Sequence, residues 1–318
     1  MISVLVTART QETVDILCVE LARADGGALP SFSAGAHIDV LLADGWRRQY
    51  SLCRPAHSSG RYQIAVLKDA ASRGGSVAMH AQLNVGAQVQ VSPPRNLFTL
   101  HPAASHSLLF AGGIGITPLL CMARSLADSG ADFTLHYCAR SRERAAFVAQ
   151  LHASDFADKV HCHFDDGDAA QQLHAAQVLA QPDSGTHVYV CGPAGFMQHV
   201  LDTAATLGWP ADNLHSEYFA AAPTDHAEGN GSFEIALHST GQVFTVPADK
   251  TAAQVLDENG IFISLACGQG LCGTCLTGVL EGEPLHHDQF QTDAERALNN
   301  QFTPCCSRAL SGRLVLDL

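Results

Sequence analysis

Cys267-Gly268-Gln269-Gly270-Leu271-Cys272-Gly273-Thr274-Cys275 is the stretch whose reading decides the fold. Its C-x4-C-x2-C spacing is the plant-type pattern for a [2Fe–2S] cluster, whose fourth thiolate comes from further along the chain. Two candidates for that thiolate follow, Cys305 and Cys306, within Phe302-Thr303-Pro304-Cys305-Cys306-Ser307-Arg308. A tight loop wrapped round a cluster needs positive φ angles, which Gly268, Gly270 and Gly273 can adopt. Loop amides also donate to the cluster sulfurs and tune their potential. A zinc site would favour paired C-x2-C or mixed Cys/His spacing, and a disulfide framework belongs to small secreted chains.

Such a cluster moves one electron at a time, so the rest of the chain is read for what supplies the electrons. At 318 residues the chain has room for two or three domains. A formal net charge of −13 disfavours nucleic acid as a partner. No apolar run reaches membrane-spanning length, and Met1 to Arg9 has the pattern of a strand rather than a signal peptide. Cys18, Cys53, Cys121, Cys138, Cys162 and Cys191 sit singly in apolar stretches, as small hydrophobes do in a reducing compartment. A cytoplasmic protein is expected.

Residues 1–103 have the pattern of short strands with turns between them. Val14, Ile16, Cys18 and Glu20 share a period-2 face; 37–42, 62–67 and 87–91 are further strands, and Ser76 to Leu83 is helical. This spacing predicts a small antiparallel barrel. Two stretches go beyond scaffolding. In Arg48-Gln49-Tyr50-Ser51 a cation, a flat ring and a hydroxyl gather at a strand end, suited to a phosphate, a planar cofactor and a ring nitrogen. Ser72-Arg73-Gly74-Gly75-Ser76, before the helix, offers free amides to an anion. An exposed strand with a surface arginine, and a plain loop with Ser76 as N-cap, are the alternatives. Together the two stretches describe a mononucleotide site.

From 104 to 222 strand and helix patterns alternate. Strands are predicted at 107–111, 133–138, 159–164 and 187–191, with helices near 118–129, 143–153, 170–180 and 194–207. This is a parallel α/β sheet. Ala111-Gly112-Gly113-Ile114-Gly115-Ile116-Thr117-Pro118 follows the first strand; its glycines admit a pyrophosphate, and Thr117 is expected to cap the helix. The spacing differs from the G-x-G-x-x-G fingerprint, although the phosphate logic is shared. Cys191-Gly192-Pro193 ends a later strand, where ligands meet open α/β sheets; a buried structural cysteine is the alternative. Arg140, Ser141 and Arg144 follow the second strand, and Asp165 and Asp166 the third. The aspartates favour NADH and the arginines the extra phosphate of NADPH, so the residues leave the donor open. Glu217-Tyr218-Phe219 closes the unit, with an aromatic placed to cover a flat cofactor or to pack on the core.

Residues 223–231 are the expected linker, poor in large apolar side chains. A third unit over 232–318 has a hairpin about Ser239-Thr240-Gly241, a helix from Thr251 to Asn259, the cysteine loop, a strand over 276–280 and a terminal strand. The sequence has 17 histidines, but His161-x-His163 and His286-His287 lack the companions of a zinc or Rieske site and are expected to be solvated or structural.

Taken in order, Arg48-x-Tyr50-Ser51, Gly74-Gly75-Ser76, Gly112 to Pro118, Cys191-Gly192-Pro193 and the C-terminal cysteines resemble the phthalate dioxygenase reductase family over essentially the whole chain. Gln301 to Arg308 is most similar to the vanillate O-demethylase reductase branch. The resemblance implies an antiparallel β-barrel flavin domain, a parallel α/β nicotinamide domain and a β-grasp ferredoxin domain. It implies FMN, held at its ring by Arg48, Tyr50 and Ser51 with Val66 and Lys68, and at its phosphate by Gly74, Gly75 and Ser76. It implies a nicotinamide site of Gly113, Gly115, Thr117, Arg140, Ser141, Asp165, Cys191, Gly192 and Pro193. Ser51, Cys191, Glu217 and Phe219 would then surround the reacting rings, and Cys267, Cys272, Cys275 and Cys305 would hold the cluster.

The expected function is a relay from NADH through FMN and the [2Fe–2S] cluster to a Rieske-type oxygenase acting on an aromatic or small organic substrate. The cofactors carry the chemistry and the protein supplies position and field. One alternative is a self-contained NAD(P)H reductase for another acceptor, such as a haem protein. Another is an electron-carrier subunit that catalyses nothing itself. With no exposed apolar helix or heptad in the sequence, a monomer is expected.

Overall fold

The computed structural model describes every residue except 56–59, 70–73, 220–230, 264, 266, 267, 269, 271, 272 and 289. The expected linker therefore lies outside the described residues but for Gly231, and so do Ser72, Arg73, Cys267 and Cys272. The chain divides into two compact units, Met1–Phe219 and Ala220–Leu318.

In the first unit, β1 (Ile2–Gln11), β2 (Ile16–Arg23), β3 (His37–Leu41), β4 (Arg47–Ser51), β5 (Tyr62–Leu67) and β6 (Gln88–Val91) form one antiparallel sheet, ordered β4-β3-β6-β1-β2-β5. Val4, Leu17, Val19, Ile38, Val40, Ile64, Val66 and Val91, from five of these strands, turn into a single core. The end strands β4 and β5 also approach each other, so the sheet is rolled as the barrel pattern predicts. The helix α1 (Gly75–Gln82) starts one residue earlier than expected. Its N-cap is Gly74 at φ 109°, and the Ser76 hydroxyl instead accepts from the Asp69 N–H at 3.2 Å. Val14 lies outside β2 and is 80 % exposed. The strand itself buries both faces: Leu17, Val19 and Leu21 enter the barrel, while Ile16 and Cys18 pack with Cys121 and Met122.

The same unit continues with β7 (His106–Gly112), α2 (Ile116–Ser129), β8 (Phe133–Ala139), α3 (Val148–His152), β9 (Val160–Phe164), α4 (Ala175–Val178), β10 (Thr186–Cys191), α5 (Ala194–Thr206) and β11 (Leu214–Glu217). The five strands are parallel, in the order β11-β10-β7-β8-β9. Two expectations are corrected here. The helix expected over 143–153 is a 3-10 turn and a short α3, broken where Phe147 takes φ 63° to bury its ring. The pattern over 170–180 likewise yields only a 3-10 turn and the four-residue α4. The strand β11 was legible only as a closing segment. The helix α2 is buried from Ile116 to Ala123, as its apolar run requires, and Gly130 in the left-handed region ends it.

The histidines of this sheet are structural. On one face His136 Nδ1 lies 3.0 Å from His163 Nε2, with His136 stacked on Phe110 and His161. On the other, His187 Nδ1 lies 2.9 Å from His215 Nε2, and His215 stacks on Tyr189. An N–H···N bond between imidazoles needs an unprotonated nitrogen on one ring.

In the second unit, β12 (Phe233–Leu237), β13 (Val243–Val246), α6 (Ala252–Glu258), β14 (Thr277–Glu281), β15 (Pro284–Leu285), α7 (Asp293–Arg296), β16 (Gln301–Phe302), β17 (Arg308–Ala309) and β18 (Arg313–Leu316) follow in order. The main sheet runs β13-β12-β18-β14-β16, with β12 and β18 parallel. The predicted hairpin is β12–β13. Thr251 and Thr292 each close a capping box, with Gln254 and Glu295. Phe233, Ile235, Leu256, Phe302 and Leu314 fill the core beneath. Among the described residues no helix is long and apolar enough to cross a membrane.

Burial lowers the histidine pKa values, His136 to about 3 and His215 to about 4. The unfolded chain binds these protons near pH 6.5, so the stability held at neutral pH drains away as pH falls below that value. Thermal unfolding followed by circular dichroism should give a lower Tm at pH 5 than at pH 7.5, and His136→Gln should reduce the difference.

Candidate functional site

The parallel register brings the strand ends to one edge of the sheet. Ala111 pairs with Cys191, and Cys191 with Glu217; Gly112 pairs with Cys138, and Ala139 with Phe164. Arg140, Ser141, Asp165, Asp166, Gly192 and Pro193 directly follow these ends. The sheet's first strand, β7, lies between β8 and β10, so strand order reverses there and two loops meet across a crevice.

These loops interlock. A Cβ on Gly115 would overlap the Cys191 carbonyl, and one on Gly192 would press on the Gly112 backbone. Glycine is required at Gly115 because backbone occupies the side-chain position. Thr117 is buried, and its hydroxyl donates to the Ile114 carbonyl at 3.1 Å. It therefore lies in the first turn of α2, and Gly115, with no side-chain cap, takes the N-cap place expected of Thr117. What remains is a glycine-lined backbone cradle at the start of a 14-residue helix, which fits a pyrophosphate.

The barrel supplies the facing wall. His37 on β3 pairs in register with Ser51 on β4. The Ser51 hydroxyl donates to Glu217 Oε2 at 3.1 Å, joining β4 to β11. Two in-register pairs thus confront each other: His37 with Ser51, and Cys191 with Glu217. The Glu217 side chain is only 15 % exposed. Burial pushes its pKa up to about 7, and the Ser51 bond pulls the other way. Cys191 is fully buried, and burial, with Glu217 near, raises its thiol pKa well above the ordinary value. It is a neutral thiol that contributes shape rather than a nucleophile. Phe219 is 40 % exposed, and Tyr218 packs toward α5.

The barrel stretches expected to hold a mononucleotide also come together. The Arg48 guanidinium lies over the Trp46 ring, 4.8 Å from its centroid, and donates to the Arg47 carbonyl at 2.7 Å. A Cβ on Gly75 would overlap that guanidinium, and one on Gly74 would reach the Trp46 ring. An arginine thus sits against bare backbone at the start of α1, a cradle that fits a phosphate. Trp46 escaped the sequence reading, although it stands two residues before Arg48, at the strand period. Tyr50 is partly buried on the barrel core, and Ser51 is buried. Val66 belongs to the core, offering only backbone, and its carbonyl meets His80 Nε2 at 2.9 Å. Lys68 is exposed.

In the second unit Gly268, Gly270 and Gly273 have φ of 66°, 76° and 64°, as the cysteine loop requires. Cys275 and Cys305 are buried, and the Cys305 thiol meets those of Cys275 and Cys306. Cys306 is turned toward Thr303 Oγ1 at 3.3 Å and packs where a Cβ on Gly270 would fall. Paired buried thiols beside a glycine loop fit the donor set of an iron–sulfur cluster. Arg308 anchors this segment, donating to the carbonyls of Lys250, Gly231 and Pro247 at 3.0, 3.0 and 2.9 Å.

Residues 235–310 match the 2Fe-2S iron-sulfur cluster binding domain, and 87–214 the N-terminal domain of the dimethylamine monooxygenase subunit DmmA-like family. A vanillate O-demethylase oxidoreductase of Pseudomonas sp. (strain HR199 / DSM 7063) is 59 % identical over 100 % of both chains. The chain belongs to the phthalate dioxygenase reductase family. The solved phthalate dioxygenase reductase, described as a modular structure for electron transfer from pyridine nucleotides to [2Fe-2S], is 37 % identical. It covers 99 % of this chain and 97 % of its own, with a TM-score of 0.77. An intact type IV self-sufficient cytochrome P450 monooxygenase is 38 % identical over all of this chain and 41 % of its own, with a TM-score of 0.85. The family is one of oxidoreductases, and the antiparallel, parallel and ferredoxin-type modules found here are its architecture.

Gly115→Ala should force the 112–117 loop away from the Cys191 carbonyl, a backbone clash costing about 1–3 kcal/mol. Urea unfolding should show that loss, while Gly195→Ala, with open space at its Cβ position, should change stability far less.

Proposed function

We propose that this reductase takes electrons from NADH and delivers them singly to a Rieske-type oxygenase component, in a vanillate demethylase-like system. The observation that carries the reading is the meeting of the Ser51 hydroxyl with Glu217 at the carboxyl edge of the parallel sheet, beside Cys191. Residues 1–103 serve as the flavin domain, 104–222 as the nicotinamide domain and 232–318 as the ferredoxin domain.

FMN, when bound, supplies the step that turns one hydride into two single electrons. Arg48, Gly74, Gly75 and Ser76 would hold its phosphate, and Tyr50 and Ser51 its ring. Gly113, Gly115 and Thr117 bind the dinucleotide backbone, with Gly192 and Pro193 on the other side of the crevice. Cys191 and Glu217 form the floor under the nicotinamide, and Phe219 shields it from water. Arg140 and Ser141 border the adenosine end with Asp165. Asp165 would accept from a ribose hydroxyl, and Arg144 is already paired with Asp15 at 3.1 Å, which supports NADH as the donor. Cys267, Cys272, Cys275 and Cys305 hold the cluster. Among the described residues Cys18, Cys53, Cys121, Cys138, Cys162 and Cys191 form no disulfide, which supports a cytoplasmic setting, and we take the protein to act as a monomer.

The likeness to part of a cytochrome P450 monooxygenase favours a second reading, a haem protein as acceptor. Comparing reduction of a purified Rieske oxygenase with that of a P450 haem domain decides between them.

Anaerobic mixing with one equivalent of NADH should bleach the flavin and then the cluster absorbance, and NADPH should act far more slowly. Bleaching of neither would overturn the reading. Cys305→Ser should lose the visible cluster spectrum, whereas Cys306→Ser should keep it.

A further inference from the structure

The barrel strand β4 carries its flavin-site residues in a fixed order. In the reading above, Tyr50 and Ser51 at its end hold the flavin ring, and Arg48 holds the phosphate. Trp46 stands directly before the strand. Tyr50 and Arg48 lie opposite Ile38 and Val40 of β3, and the Trp46 carbonyl accepts from the Leu42 N–H at 2.9 Å, so all three share one face. A strand advances about 3.3 Å per residue, which sets Trp46 about 7 Å beyond Arg48, away from the ring end. The order along the strand is ring, phosphate, indole. A group esterified to the phosphate is therefore led toward Trp46.

The indole is closed against the phosphate cradle. The Arg48 guanidinium lies 4.8 Å from its centroid. A Cβ on Gly74 would come within 3.0 Å of the indole, and one on Gly75 would overlap the guanidinium. Asp44 accepts from the Trp46 N–H at 3.4 Å and from Gln82 Nε2 at 2.5 Å, which ties the β3–β4 hairpin to α1. The chain's other tryptophan, Trp209, has a structural use: it is buried, and its Nε1 donates to the Leu179 carbonyl at 2.9 Å. Trp46 is only partly buried on the barrel core, and its ring carries an arginine assigned to a phosphate.

We propose that Trp46 is a specificity-determining residue of the flavin site. Its indole ends the cradle just past Arg48, so that a terminal phosphate monoester, FMN, is accepted and a diphosphate bearing adenosine, FAD, is turned away. This inference rests on the flavin-domain reading given above. Selection of this kind needs only a group in the path of the wrong ligand. The same ring holds the guanidinium by its face and leaves its N–H donors in the plane, where an anion meets them. A planar fork already held in place loses less freedom when it binds phosphate.

The test titrates the full chain, freed of its flavin, with FMN, FAD and riboflavin, and follows flavin fluorescence. The unaltered protein should bind FMN about tenfold or more tightly than either of the others. In Trp46→Ala, FMN should weaken and FAD tighten, so that their affinity ratio falls about tenfold or more. Riboflavin, which has no phosphate, should bind that variant as before, and Trp46→Phe should restore the preference for FMN. An unchanged ratio in Trp46→Ala would overturn the proposal. So would a loss of FAD affinity there, which would make the indole a platform for adenine. If the unaltered protein binds FMN no better than riboflavin, the phosphate cradle itself is wrong and the proposal falls with it. A second measurement needs no variant that folds. The methyl and cyclohexyl esters of FMN carry equal charge, and the unaltered protein should bind the cyclohexyl ester about tenfold more weakly. Equal affinity for the two esters would show that nothing closes the cradle, and would overturn the proposal.

Discussion

A carboxyl group that two sheets jointly remove from water is the constraint on which the first unit depends. Glu217 ends β11, and the hydroxyl that holds it, Ser51, ends β4. Neither sheet alone encloses the group. Desolvation of a carboxylate is costly, and one hydroxyl donor offsets only part of that cost, so the group's pKa rises toward neutrality. The bond is therefore worth little as glue. Its value lies in fixing a titratable group where the two sheets meet.

The rest of the unit arranges itself to permit that meeting. Ile16 and Cys18 are apolar on the outside of the barrel because Cys121 and Met122 of α2 cover them. Phe147 takes a left-handed conformation, rare for a bulky residue, so that its ring joins the same core. Its N–H reaches the Glu12 carboxylate at 3.2 Å, and Arg144 pairs with Asp15, both on the barrel. The helix expected across this stretch is exchanged for contacts that seat the barrel on the α/β sheet. Tertiary packing outweighs helix propensity, which is worth only tenths of a kcal/mol per residue.

The ferredoxin-type unit follows a different rule. Its site is a loop whose geometry is local, three glycines in the left-handed region between cysteines. Cys305 is remote from that loop, and its segment is tied down by the Arg308 guanidinium, which bonds three carbonyls and lies over Phe233. Five donors in a planar fork satisfy several carbonyls at once, which a lysine would not reproduce.

Much of this was legible in the chain. Period-2 and helical patterns located most of the barrel strands, four of the five parallel strands and α2 to within a residue or two, because burial writes one face of such elements into the residue order. The strand β2, buried on both faces, and the short β11 were not located this way. The glycine loops and the cysteine spacing were equally plain, since backbone approach and cluster geometry demand those residue types at fixed intervals. Tertiary structure alone decided what lies between elements. Ser51 and Glu217 are 166 positions apart, and no local pattern reports that they touch. His37 looked like the first residue of a strand until the β3–β4 register set it beside Ser51. Cys305 and Cys306 are chemically identical neighbours whose thiols touch, and only the fold carries the Cys305 thiol on to Cys275 and the Cys306 thiol on to Thr303. The physical reason is common to all three. Short-range sequence sets conformational period, whereas register, partner and desolvation arise from contacts that exist only once the chain has folded.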